Sequence, residues 1–92
     1  LFPDRHINNL KIELSNGLDG VKAVAQKLKE SGLQTVSLTV KHAQGDQKGE
    51  LRVQAAGQEE VFVKLIEDFQ HMPGIEDVEF DGHIYGVHKE LI

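Results

Sequence analysis

Residues 59–80 read EEVFVKLIEDFQHMPGIEDVEF and contain one complete helix–turn–strand unit. Apolar residues at three- and four-residue spacing predict a helix with one buried face, formed by Val61, Phe62, Leu65, Ile66 and Phe69. Pro73 and Gly74 predict a sharp turn, because proline cannot continue a helix and glycine tolerates the reversal. Val78 and Phe80 then alternate with acidic residues, as in a half-buried strand. The segment therefore predicts a helix that folds back onto a sheet.

The first half of the chain follows the same order. Apolar and polar residues alternate over 10–14 and predict a strand. A glycine-containing break and an amphipathic helix follow. We predict that the side chain of Ser15 or Asp19 caps the start of this helix and that Gly32 ends it. A second strand then matches the strand at the end of the 59–80 unit, so the chain resembles a duplicated unit.

The middle of the chain predicts a hairpin. One strand covers residues 35–41, with Val36, Leu38 and Val40 expected to face the core, and another covers 50–55. A polar turn at 43–49 joins them. The complete order is βαββαβ, which predicts an α+β, ferredoxin-like sandwich with a four-stranded antiparallel sheet and two helices on one face. In this topology the first and third strands are central and the last strand is an edge.

We divide the chain into a linker at 1–6, a domain at 7–82 and an apolar tail at 83–92. The tail is expected either to add a short strand at the domain edge or to pair with a second copy. Because the sequence starts with Leu1 and a linker-like segment, we interpret it as part of a longer protein.

Composition limits the function. The 92 residues carry a formal net charge of −5, which argues against binding to nucleic acid phosphates or to anionic membranes. There is no cysteine, so a disulfide framework, a thiolate metal site and a thiol nucleophile are excluded. Only five aromatic residues are present, and none is predicted on the open face of the sheet, so stacking of RNA bases is disfavoured. No signature of an enzyme is present, and we predict neither catalysis nor a cofactor.

Two groups of residues could in principle bind a metal. Asp77, Glu79 and Asp81 place three carboxylates on one side of the last strand, and His83 and His88 follow. Alternate residues on one strand face are about 7 Å apart, which is too far to close a shell without other ligands. We therefore favour a charged, solvated edge and predict no metal site.

The glycine-rich break after the first strand resembles the first loop of ACT domains. In that family this loop and the adjacent helix hold a small effector, often an amino acid, across a dimer interface. The resemblance implies ligand-binding roles for Asn16, Gly17, Asp19 and Gly20.

The helix, Pro-Gly-Ile turn and final strand at 65–80 also resemble the end of the soluble C-terminal domain of the MgtC/SapB membrane proteins, which is ACT-like. This resemblance covers about residues 7–82. It implies a cytoplasmic, non-catalytic regulatory or interaction domain of a membrane protein linked to magnesium homeostasis, acting through a homodimer or a protein partner. The alternative is an amino-acid-binding module of a soluble enzyme or regulator.

Overall fold

The computed structural model of the protein describes residues 7–42 and 48–86. The predicted linker at 1–6, the turn residues 43–47 and the tail from residue 87 onward, with His88, lie outside these described residues. The elements are β1 (Ile7–Leu14), α1 (Gly17–Ser31), β2 (Gln34–His42), β3 (Gly49–Ala56), α2 (Glu59–Gln70), β4 (Ile75–Phe80) and β5 (His83–Gly86). Their order confirms the predicted α+β, ferredoxin-like arrangement.

The sheet is antiparallel, with the strand order β2-β3-β1-β4-β5. As predicted, β1 and β3 are central. The prediction of four strands is wrong, because His83–Gly86 forms a fifth strand along β4. The two-residue turn at Asp81 and Gly82, both with positive φ, reverses the chain there. The start of the predicted tail therefore packs on the edge of its own domain, and β4 is not the edge strand that we expected.

The core lies between the sheet and the two helices. Leu10, Ile12 and Leu14 alternate along β1 toward the helices, and Leu51 and Val53 do the same on β3. The α2 face predicted from the 59–80 segment is confirmed, with Phe62, Leu65, Ile66 and Phe69 buried and Val61 half-buried. Phe62 packs against Phe80 of β4, with ring centroids 5.2 Å apart.

Helix α1 begins at Gly17, and Gly32 follows its last residue, Ser31. Gly32 follows its last turn in the left-handed conformation, with φ +80°, as predicted. The predicted cap at Ser15 or Asp19 is wrong. Asn16 is the N-cap residue, and its side chain makes no capping hydrogen bond. Asp19 lies within the first turn, where a negative charge is favourable toward the helix dipole.

Candidate functional site

The predicted ligand-binding loop joins β1 to α1. Gly17 and Gly20 are buried in it, and Asn16 and Asp19 are exposed. Among the grooves on the described surface, four of about 440 to 640 Å³ are lined by residues other than these four. The assignment of effector binding to this loop stays a prediction.

The side chain of Asn16 fills the space beside this loop. A methyl group on Gly20 would lie 2.0 Å from Asn16 Oδ1, and one on Gly74 would lie 2.2 Å from Asn16 Nδ2. Ser15 strengthens the same junction, because its backbone N–H donates to the carbonyl oxygen of Gly74 at 2.8 Å and its hydroxyl donates to that oxygen at 3.3 Å. The loop is thus packed against the α2–β4 turn, with Asn16 wedged between two glycines.

The open face of the sheet, on the side away from the helices, carries a network of paired polar groups. The ammonium nitrogen of Lys11 (Nζ), on β1, lies 3.9 Å from Oε1 of Glu50 on β3 and 4.0 Å from Oε1 of Glu79 on β4. Arg52 donates a hydrogen bond to Glu50. This bond lowers the pKa of the Glu50 carboxyl below its ordinary value, while partial desolvation acts in the opposite direction. Because each cation here faces a carboxylate, the open face offers no excess of positive charge to an anionic ligand.

The next row of the open face is neutral. The hydroxyl of Ser37 donates to Gln54 Oε1 at 3.0 Å, and Gln54 Nε2 donates to Asn9 Oδ1 at 3.2 Å. A groove of about 440 Å³ runs over these residues and the ion pairs. The side chains of Asn9, Ser37 and Gln54 in this groove are already joined by hydrogen bonds, so a ligand would have to replace these contacts.

The three carboxylates expected on an acidic edge have different environments. Asp81 lies in the β4–β5 turn, where its carboxylate accepts hydrogen bonds from Asn8 Nδ2 at 2.6 Å and from the Asn9 backbone N–H at 2.8 Å. Glu79 is close to Lys11, as described above, and Asp77 lies opposite Glu13 of β1. Asp81 is therefore a structural residue that ties the turn to β1. Within residues 7–42 and 48–86, no group of three or more His, Asp or Glu residues is arranged to hold a metal ion.

An exposed group of apolar side chains lies on β2 and was not predicted. Leu38 and Val40 are in register with the buried residues Val53 and Leu51 of β3, so they lie on the helix side of the sheet as expected. They are nevertheless 42% and 40% exposed, and Val36, at the register shift between β2 and β3, is 54% exposed. The core of the domain lies over β1 and β3, and it leaves the outer strand uncovered.

The sequence predicted that these three side chains lie in the core, because alternation shows which side of a strand is apolar. Alternation does not show whether a helix covers that side. One feature of the sequence did indicate that β2 is an unusual edge strand. The predicted topology already placed β2 at the edge of the sheet, where the nine residues 34–42 include a single Asp, Glu, Lys or Arg residue, Lys41. Edge strands are usually protected by charges or by proline.

These features define an α+β, ferredoxin-like domain with one added strand and one uncovered edge. No protein-family model matches the chain, and no curated protein matches it either. Among solved structures, the fold matches the C-terminal domain of the MgtC protein from Mycobacterium tuberculosis, determined in solution. The TM-score is 0.66 at 12% identity, and the alignment covers 98% of this chain and 100% of the other. The match confirms the ferredoxin-like fold and the structural resemblance to the C-terminal domain of MgtC.

The described helices are short. α1 has 15 residues and α2 has 12, and neither is long and apolar enough to cross a membrane.

Proposed function

We propose that this chain is the cytoplasmic C-terminal domain of an MgtC/SapB-type membrane protein and that it acts as a non-catalytic regulatory or interaction module. The observation that carries the proposal is the match of the fold to the C-terminal domain of MgtC over the full length of that domain. Strand β2 supports an interaction role, because among residues 7–42 and 48–86 it is an edge strand that pairs only with β3 and presents exposed apolar side chains to a partner protein.

The proposed link to magnesium homeostasis comes through the parent protein. It requires no metal site on this domain. The domain would act by contact, either with a second copy of itself or with another protein, and would thereby couple the membrane part to a cytoplasmic response.

The coding sequence that precedes Leu1 tests this proposal directly. We expect it to encode several membrane-spanning segments. A catalytic domain, or an initiator methionine immediately before Leu1, would contradict the proposal.

A functional test uses the complete gene. We expect loss of the whole gene to slow growth in low magnesium, and deletion of the segment encoding residues 7–86 to slow it equally while leaving the membrane part inserted, as judged by an epitope tag. The matched control is the full-length gene with the same tag. Unchanged growth with a stably inserted, truncated protein would refute a regulatory role for the domain.

The alternative function is an ACT-type module that binds an amino acid at the β1–α1 loop. The buried glycines of this loop and the helix that starts there favour it, whereas the wedged side chain of Asn16 occupies the adjacent space. Titration calorimetry with the twenty amino acids would decide between this effector module and the interaction domain proposed above. Saturable heat that is lost in Asp19→Ala and kept in the variant Glu76→Ala, which lies outside the loop, would support the effector module, and no heat at millimolar ligand would exclude it.

A further inference from the structure

We propose that the helix side of β2 binds an amphipathic helix of a partner protein, and that acidic residues flank the apolar stripe of that helix. The partner helix would lie beside α1 as a third helix of the layer. The inference deepens the proposed interaction function and rests on it, since it names the chemistry of the partner. It is argued from the width of the helix layer, from the apolar residues that this layer leaves exposed and from the charges beside them.

The helix layer is narrower than the sheet. Packed helices lie about 8–10 Å apart and neighbouring strands about 4.8 Å apart, so each helix covers about two strands. Two helices therefore cover about four strands, whereas the described sheet has five. Helix α1 contacts β1, β2 and β3, and α2 contacts β4 and β5. The uncovered width lies at β2, where a step is left between the sheet and the outer flank of α1.

The floor of this step is apolar. Leu38 and Val40 lie opposite Val53 and Leu51, which are buried on the helix side of β3. Leu38 and Val40 therefore lie on the same side, where they are 42% and 40% exposed. Val36 lies at the register shift of β2 and is not counted in this surface.

The outer flank of α1 forms the wall of the step. Lys27 Nζ of α1 lies 3.6 Å from Asp68 Oδ2 of α2, which identifies the flank of α1 that faces α2. With 3.6 residues per turn, Leu18 and Ala25 lie on the opposite flank. Leu18 is 63% exposed, and Ala25 is half-buried. The β2 shelf is the surface formed by Leu18, Ala25, Leu38 and Val40.

Two lysines flank the β2 shelf. Lys22 and Lys29 are exposed on the same flank of α1, seven residues apart, which is two turns or about 10.5 Å. Neither forms an ion pair with another residue of the ranges 7–42 and 48–86. The chain as a whole has a net charge of −5, so this positive edge is a local feature. Acidic side chains two turns apart on a partner helix would meet both ammonium groups, whereas a basic helix would be repelled.

The dimensions of the β2 shelf fit a short helix. Because only Gly32 and Leu33 separate α1 from β2, the two elements run side by side in opposite directions. The rise from Leu18 to Lys29 is about 16 Å, which three turns of a partner helix would match. A helix about 10–12 Å in diameter would fill the step. A strand added at the edge of β2 would extend the sheet and leave the β2 shelf open.

Two designed peptides test the proposal. The acidic probe has three heptads with leucine at positions a and d, glutamate at e and g, and alanine or glutamine elsewhere, and the basic probe has lysine in place of glutamate. Like charges at e and g keep each peptide from pairing with itself. Fluorescence anisotropy with the 92-residue chain should show saturable binding of the acidic probe with a Kd below about 1 mM. The basic probe should bind at least tenfold more weakly.

Two pairs of variants locate the site. Leu38→Gln makes the floor polar and should weaken binding of the acidic probe at least tenfold, whereas Ile84→Gln, at a residue 70% exposed on β5, should bind like the wild type. Lys29→Glu should weaken binding of the acidic probe and strengthen that of the basic probe. The matched control Lys64→Glu makes the same change of charge on α2 and should alter both affinities less than twofold. Circular dichroism will show that the variants fold.

Four results would overturn the inference: no saturable binding of the acidic probe, equal binding of both probes, equal weakening by Leu38→Gln and Ile84→Gln, or a dimer of the chain that Leu38→Gln dissociates. The last result would show that a second copy covers the β2 shelf. Absence of binding would leave the proposed membrane parent untouched. A parent gene without membrane segments would refute the proposed function but not the measured binding, so the two failures are distinguishable.

Discussion

Replacement of Gly74 by alanine tests the packed junction between the β1–α1 loop and the α2–β4 turn. Gly74 has φ +86°, a conformation that costs an L-residue about 1–2 kcal/mol. The added methyl group would also lie 2.2 to 2.5 Å from three atoms of the Asn16 side chain, which must therefore move out of the junction. Residues in direct contact show coupling energies of about 0.5–3 kcal/mol. We expect Gly74→Ala to lower the free energy of unfolding by about 2–3 kcal/mol.

Two other glycines separate the cost of the positive φ from the cost of the clash with the Asn16 side chain. Gly32 has a similar φ of +80° with nothing within 4 Å, so Gly32→Ala should cost only the conformational part, about 1–2 kcal/mol. Gly20 lies inside α1 without positive φ, and the atoms nearest to its added methyl group would be those of the Asn16 side chain and, at an ordinary distance, Leu14. With Asn16→Ala in place, Gly20→Ala should stabilise the protein by about 0.8–1 kcal/mol through helix propensity.

Urea unfolding followed by circular dichroism provides the measurement, since a domain of this size is expected to unfold in two states. Each kcal/mol corresponds to about 4–8 °C in Tm. In the Asn16→Ala background, the cost of Gly74→Ala should fall to that of Gly32→Ala. If it costs the same with and without the Asn16 side chain, the steric account of the junction is refuted.

Three further predictions concern the open face, the β4–β5 turn and the core. Because the pKa of Glu50 is lower in the folded protein, its carboxylate stabilises the fold at pH values above its ordinary pKa of 4.5, and this contribution is lost as the pH falls through the lower, folded pKa. Glu50→Gln should therefore flatten the acid limb of a profile of stability against pH. An unchanged acid limb would contradict the pairing of Glu50 with Arg52. Asp81→Ala removes the acceptor of the Asn9 N–H and places alanine at φ +48°, so thermal unfolding should show a loss of about 2–4 kcal/mol, and a loss below 0.5 kcal/mol would show that the turn does not depend on this carboxylate. Phe69→Ala deletes a fully buried ring and should cost about 3–5 kcal/mol in urea unfolding, whereas a cost under 1 kcal/mol would show that this end of the core is loosely packed.

The fold was largely predictable because its signals are local. The apolar spacing in 59–70 defines α2, Pro73 and Gly74 define the turn, and the order of elements defines the topology. The errors arose where a local pattern has two structural outcomes. We predicted Asp81 as one of three acidic residues that point outward from the last strand. In the structure, Asp81 and the adjacent Gly82 form a hairpin turn instead.

The candidate sites were predicted less well, because a site depends on contacts between segments that are distant in sequence. Nothing in residues 15–20 shows that Gly74 would close the space beside Asn16. Likewise, the alternation of Val36, Leu38 and Val40 gives their side of the strand but not whether a helix covers that side.

The sequence by itself determined the two helices, the first four strands, their order and the apolar side of each, since periodicity and turn chemistry act over a few residues. The helix–turn–strand segment at 59–80 was correct for this reason. Only the tertiary structure decided which edge of the sheet stays open, because that depends on β5 covering β4 and on where the core lies over the sheet. The interaction surface proposed for this domain is therefore a property of packing, since the same alternation would have been buried under a wider helix layer.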